Sequence, residues 1–187
     1  MPQPAGLPEG LPEGLPEGLP DGARLRQLEQ KVRRDGSGLQ ARSLQGCWRF
    51  TRVWPRQSEA PQAIASAFLR SLAATLEIGP PDGAGDLPMA NAVALPGLEL
   101  RFEGRGRLRG RRPLLSFWFD RWQLSVAGVR LIERSLAAPP ELRRLPFFAL
   151  IGRGTGLQGQ VWLAARGRSG GLALWLLDSD SASPGAR

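Results

Sequence analysis

The chain has 187 residues, of which 24 are Gly and 17 are Pro, with 22% charged residues and a net charge of +8. That length suits one core with tails, and Gly and Pro spread along the whole chain favour frequent turns and few helices. No His, no Tyr and a single Cys, Cys47, exclude the usual general base, a thiolate metal cage and an internal disulfide.

No spacing among the remaining Ser, Asp, Glu, Arg and Lys31 matches a nucleophile with its activating base, so the sequence argues against an enzyme and for a protein without metal or cofactor. The lone thiol fits a reducing, intracellular compartment. Charge is uneven. Residues 1–22 carry Glu9, Glu13, Glu17 and Asp21 and no base, leaving 25 bases against 13 acids in the rest of the chain. Such a surplus suits anionic lipid, acidic proteins or nucleic acid, although 24 of the 25 bases being Arg is also what GC-rich codon usage produces.

In chain order, residues 1–22 contain a Leu-Pro-Glu-Gly repeat whose recurring Pro prevents a helix or a ladder, so this segment reads as a disordered tail. It has neither the basic start nor the apolar run of a secretory signal, and it is acidic where a transit peptide is basic. Residues 23–43 form an amphipathic helix and linker: Leu25, Leu28 and Val32 follow helical spacing among basic residues, and Asp35-Gly36-Ser37-Gly38 ends the helix. That helix either touches anionic lipid or packs across an end of the fold. A second helix is predicted from Pro61 to Leu76, with Ile64, Phe68, Leu72 and Leu76 four apart. No apolar run reaches the roughly 20 residues of a membrane span.

Residues 44–178 hold the strands, and residues 179–187 read as a second disordered tail. Leu98–Glu103 alternates strictly, while Leu114–Phe119 is more continuously apolar. Further strands are predicted at Cys47–Trp54, Ala92–Leu95, Arg105–Arg109, Trp122–Val126, Val129–Glu133, Phe147–Ile151, Gln160–Ala165 and Leu172–Leu177. So many short antiparallel strands must close or stack to hide their edges, which predicts a mainly β fold, an up-and-down barrel or a sandwich, with one or two short helices on the N-terminal side.

Gly46-Cys47-Trp48 opens the first predicted strand as the Gly-x-Trp motif opens lipocalin-type barrels. Gly46 lets the chain turn beneath the barrel, Trp48 plugs its narrow end, and Arg166 is the candidate guanidinium to stack on the indole. Taken with Asn91-Ala92-Val93, the paired strands around Leu98–Phe102 and Leu115–Phe119, and Arg166-Gly167 followed by a final apolar strand, this order resembles the plastid lipid-associated protein (fibrillin) family and its cyanobacterial members. The resemblance covers residues 25–177. It implies an antiparallel lipocalin-like barrel that holds a lipid, carotenoid or prenylquinone, either soluble or peripheral to thylakoid membranes. An acidic stretch that family places before its Arg-Gly turn is missing here, where Gln160-Val161-Trp162-Leu163-Ala164-Ala165 stands instead.

Aromatic residues would wall such a pocket, and the candidates are Phe50, Phe102, Phe117, Phe119, Trp122, Trp162 and Trp175, with Trp118 beside them. Alternation alone does not choose the face. Arg105, Arg107, Arg109 and Arg111 alternate on a probable hairpin and would present one row of guanidiniums to an anionic surface. Gly152–Gly156 lacks the Lys-Ser/Thr of a phosphate cradle and reads as a turn. Three readings remain open: a carrier of hydrophobic small molecules, a lyase or chaperone for a tetrapyrrole, and a basic RNA-binding module, with nucleic acid the least favoured.

Overall fold

In a computed structural model, which describes residues 18–56, 74–137, 141 and 145–178, the alternating segments form one nine-stranded antiparallel sheet beside one α-helix. The helix is α1 (Gly22–Asp35). The strands are β1 (Gly46–Trp54), β2 (Thr75–Ile78), β3 (Leu87–Leu95), β4 (Leu98–Arg109), β5 (Leu114–Val126), β6 (Val129–Ser135), β7 (Phe147–Thr155), β8 (Val161–Gly167) and β9 (Leu172–Leu177). Their order is β4-β3-β2-β1-β9-β8-β7-β5-β6, and β4 also pairs with β5, so the pairing returns on itself. The circuit is uneven. β5 runs beside β4 from Leu114 to Val126, yet it meets β7 only at Leu114–Ser116 and gives its second half to β6.

Two apolar clusters lie on opposite faces of the sheet. The inner one gathers Trp48, Phe50, Ile78, Met89, Leu163 and Trp175 with their neighbours, while the outer one seats Leu25 of α1 on Trp54, Ile151, Ala164, Leu172 and Leu174. This explains the unbroken apolar run of β9: Leu172 and Leu174 meet the helix, and Ala173, Trp175 and Leu177 face inward. α1 therefore packs on a face of the sheet and not across an end. Asp21 caps it by accepting from the Arg24 N–H at 2.7 Å, and Gly36, at φ +82°, returns its N–H to the Val32 carbonyl. Beyond it, Leu39, Ala41 and Leu44 pack against the inner cluster where β1 begins.

Several expectations are corrected. Most of the predicted second helix, residues 61–73, lies outside the described residues, but Leu76 belongs to β2 and points into the inner cluster. A spacing of four fits one face of a strand as well as a helix, which is why Leu76 misled. The predicted breaks after Glu103 and Phe119 are absent: Glu103–Gly104 opposes a bulge at Asp120, within two long strands. Gly152–Thr155 continues β7, and the turn follows from Gly156. The tails at residues 1–17 and 179–187 lie outside the described residues, although the last unit assigned to the first tail joins the fold through buried Pro20, Leu19 and the Asp21 cap.

Gly104 and Gly106 need no RNA to explain them. A Cβ on Gly104 would stand 2.0 Å from the Trp118 carbonyl oxygen. Gly104→Ala is expected to cost about 2–3 kcal/mol through forced backbone displacement, whereas Gly83→Ala, which meets nothing within 4 Å, should stay within about 0.5 kcal/mol of the parent. Urea unfolding midpoints measure both.

Candidate functional site

Six rings from five strands, β1, β9, β7, β5 and β4, meet in one continuous row on the inner face. Phe50 of β1 meets Trp175 of β9 edge-on at 6.3 Å, Trp175 meets Phe148 of β7 at 5.4 Å, and Phe148 stacks on Phe117 of β5 at 5.0 Å. Phe119 and Phe102 continue the row at 5.6 and 5.7 Å. Phe50 and Trp175 are buried, but Phe102, Phe117, Phe119 and Phe148 are only half-buried. The wall is thus sealed on the β1–β9 side and open toward β4 and β5.

The same face continues outward along the β5–β6 extension. Trp122 lies opposite Phe102, Leu124 opposite both Leu100 and Ile132, and Val126 opposite both Leu98 and Val129, and directly paired residues share a face. These are unusually oily for a rim: Val126, Ile132 and Leu98 are 38–40% exposed and Val129 61%. A surface of rings therefore grades into a surface of aliphatic side chains, with Arg134 opposite Trp122 at the junction.

Of the predicted wall, Phe50, Phe102, Phe117, Phe119 and Trp175 come together, with Trp122 flanking them. Trp162 does not. It faces outward, lying over Gly154 and packing beside α1. Trp118 lies opposite Arg105, on the other face from its neighbours Phe117 and Phe119. Phe148 was missed, because Phe147-Phe148 offers a ring to either face and periodicity cannot choose.

Gly46 and Trp48 lie at the start of β1. Gly46 takes φ +130° with Leu177 Cδ1 2.5 Å from where a Cβ would be, and Trp48 is fully buried with its Nε1–H donating to the Leu44 carbonyl at 2.6 Å. The stacking cation is different. Arg153, not Arg166, sits over the indole at 5.9 Å from its centroid, because the bulge after Leu150 turns Arg153 to the inner face while Arg166 faces outward. Arg166 instead donates from Nε and Nη2 to both oxygens of Glu29 in α1, at 2.6 and 2.5 Å, and from Nη1 to the Gly170 carbonyl. The helix thus supplies the carboxylate that the Gln160–Ala165 stretch lacks. Burial by itself would raise the Glu29 carboxyl, but hydrogen bonds and charge from Arg166 and Arg33 outweigh it and hold the group below its ordinary value.

Two members of the β4 Arg row, Arg105 and Arg107, are paired with acids of the protein. Arg107 makes a two-pronged pair with Asp86, Arg105 lies 3.7 Å from Asp82, and Arg101 binds Glu77 through two nitrogens and Glu103 through Nε. The Arg107 hydrogen bond lowers the Asp86 carboxyl below its ordinary range despite its burial. Arg111 lies in the turn beyond β4, outside the row. Half of the row that suggested an anionic grip or an RNA surface is therefore engaged within the protein, by acids between β2 and β3.

Comparison with known proteins found no matching family model, no matching curated protein and no matching solved structure. Among the described residues, no helix is long and apolar enough to cross a membrane.

Proposed function

We propose that the chain is a non-enzymatic carrier that holds a hydrophobic small molecule, a lipid, carotenoid or prenylquinone, inside a lipocalin-like barrel formed by the closed strand circuit. The reading keeps the resemblance to the plastid lipid-associated (fibrillin) family and a place peripheral to photosynthetic membranes. The observation that carries it is the row of rings from Phe50 to Phe102, half-buried at its β5 end and continuous with exposed aliphatic side chains. Apolar rings left partly in water are what a hydrophobic ligand covers, and flat aromatic faces suit extended polyenes and quinone rings.

Titration with a fluorescent polyene fatty acid and with a prenylquinone tests it. Saturable uptake with quenching of tryptophan emission is expected, and Phe117→Asp should weaken it at least about tenfold by placing a carboxylate against the ligand. Phe102→Asp, at the end of the row and outside the inner cluster, should weaken it less and guards against a Phe117 variant that fails to fold. A parent protein that takes up neither probe, carries no extractable ligand in native mass spectrometry and ignores anionic liposomes would remove the proposal. Preferential uptake of an open-chain tetrapyrrole, with transfer to an acceptor protein, would favour the lyase reading instead.

A further inference from the structure

β5 pairs with β7 only at Leu114–Ser116, and the outer face of the sheet at that seam lies beside α1. Directly paired residues share a face, so Leu114 of β5, Ala149 of β7 and Arg166 of β8 form one row across the outer face. The methyl of Ala149 is the low point of that row, between the Leu114 side chain and the Arg166–Glu29 pair. A trough of about 360 Å³ results, with Phe147 and Ala149 as its floor and Val32 of α1, Pro113, Leu114 and Ile151 as its walls.

Apart from Glu29 and Arg112, every described residue lining the trough is apolar. The two charges are not equivalent. Glu29 accepts from Nε and Nη2 of Arg166 and from Arg33, so its charge is already met within the protein. Arg112 is exposed in the turn between β4 and β5, and its guanidinium has no ion-pair or hydrogen-bond partner among the described residues. An apolar body with one uncommitted guanidinium at its edge is complementary to a molecule that carries an anionic head on an alkyl chain, and the guanidinium fork matches the two oxygens of a carboxylate. The volume lies at the low end of small-molecule clefts, which suits one chain of moderate length.

We propose that this outer trough binds a single-chain fatty acid, with the carboxylate on Arg112 and the alkyl chain lying over Ala149. The aromatic row is on the opposite, inner face of the sheet, so this is a second site and does not depend on the carrier reading.

The test is calorimetric titration of the full chain with dodecanoate below its micelle concentration. Saturable binding that weakens as salt rises is expected. Butyrate, which has the head without the chain, and dodecyltrimethylammonium, which has the chain with the opposite charge, should bind at least about tenfold more weakly. Arg112→Gln should weaken dodecanoate at least about fivefold, and Ala149→Leu, which fills the trough, at least about tenfold. Arg42→Gln removes the same charge from an exposed residue that does not line the trough and should stay within about twofold. A thermal midpoint close to the parent's verifies that Ala149→Leu folds, and Arg112→Gln, at an exposed position, decides the matter if it does not. Prenylquinone, the probe of the aromatic row, should not displace dodecanoate, so this site and the carrier reading fail separately. A parent that ignores dodecanoate, equal affinity for dodecyltrimethylammonium, unchanged binding in the Arg112 variant, or displacement by prenylquinone would overturn the proposal. Concentration-dependent dimerisation abolished by Ala149→Leu would assign the trough to a second copy of the chain and overturn it as well.

Discussion

Trp48→Ala is expected to lower folding stability by about 3–5 kcal/mol, the range for truncating a fully buried large aromatic residue. The side chain has no exposed surface, lies between β2 and β9 at the register positions of Leu76 and Leu177, and packs where Leu39 and Leu44 cover the start of β1. Alanine would leave a cavity there and would also strand the Leu44 carbonyl, which accepts the indole N–H at 2.6 Å. Trp48→Phe separates the two effects. It retains most of the bulk and removes the donor, so its cost should be nearer about 1–3 kcal/mol. Arg153→Ala should cost only about 0.5–1 kcal/mol, as a cation over an aromatic face contributes at a largely exposed site. Urea unfolding at constant m-value reads all three. A Trp48→Ala protein within 1 kcal/mol of the parent would mean that the inner cluster closes without it.

That Trp48 could be singled out from the sequence while its cation could not shows which kind of information local pattern holds. Gly46-x-Trp48 is a local arrangement whose geometry follows from a positive-φ turn and the alternation of one strand. The partner of Trp48 depends on a bulge in β7, and a one-residue slip exchanges the faces of every later side chain. Arg153 was read in a loop and so given no face, and Trp162 was read in the ligand wall because alternation along β8 defines two faces without saying which is inner. Strand alternation was legible wherever one face is wet, as in β4, and illegible in short runs such as β2, where four residues satisfy either period. The aromatic row was largely legible because rings in strands of opposite direction are brought onto one face by pairing. Its opening was not, since the length of β5 left unpaired by β7 follows from the circuit and not from any segment.

Charge was the least legible feature. The Arg row stood out because its members are close in sequence, yet the acids that pair with two of them, Asp82 and Asp86, lie on a turn about 20 residues away, and the sequence offered no reason to pair them. Conversely, Arg26 and Arg33 of the helix, Arg56 beyond β1, and Arg166 and Arg168 of the β8–β9 turn line one groove, and no stretch of sequence displays them together. One signal was present and went unused. Glu29 lies on the same helical stripe as Leu25 and Val32, and an acid on a buried stripe requires a cation from elsewhere in the fold.

That requirement gives the second large effect. Glu29→Gln is expected to cost about 3 kcal/mol at neutral pH, at the low end for breaking a buried ion pair because Arg166 keeps 21% of its side chain in water. The amide still occupies the volume but can accept from only one of the two Arg166 nitrogens, and its own N–H₂ would face the other. The docking of α1 on the sheet should suffer first, since Glu29 joins the helix to β8 across the outer cluster. The sign of the pH dependence follows from the lowered pKa. A carboxyl that ionises more readily when folded binds fewer protons in that state, so its contribution is complete above the ordinary glutamate range and disappears as pH falls through the depressed folded value. Unfolding curves of parent and variant should therefore be furthest apart at neutral pH and converge in acid. Asp86 and Glu103 are lowered in the same direction and titrate in both proteins, so they drop out of the difference. A gap that stays constant from neutral pH down to acid would show that Glu29 acts through shape and hydrogen bonding rather than through its charge, and would remove the electrostatic link between α1 and the Arg166 turn.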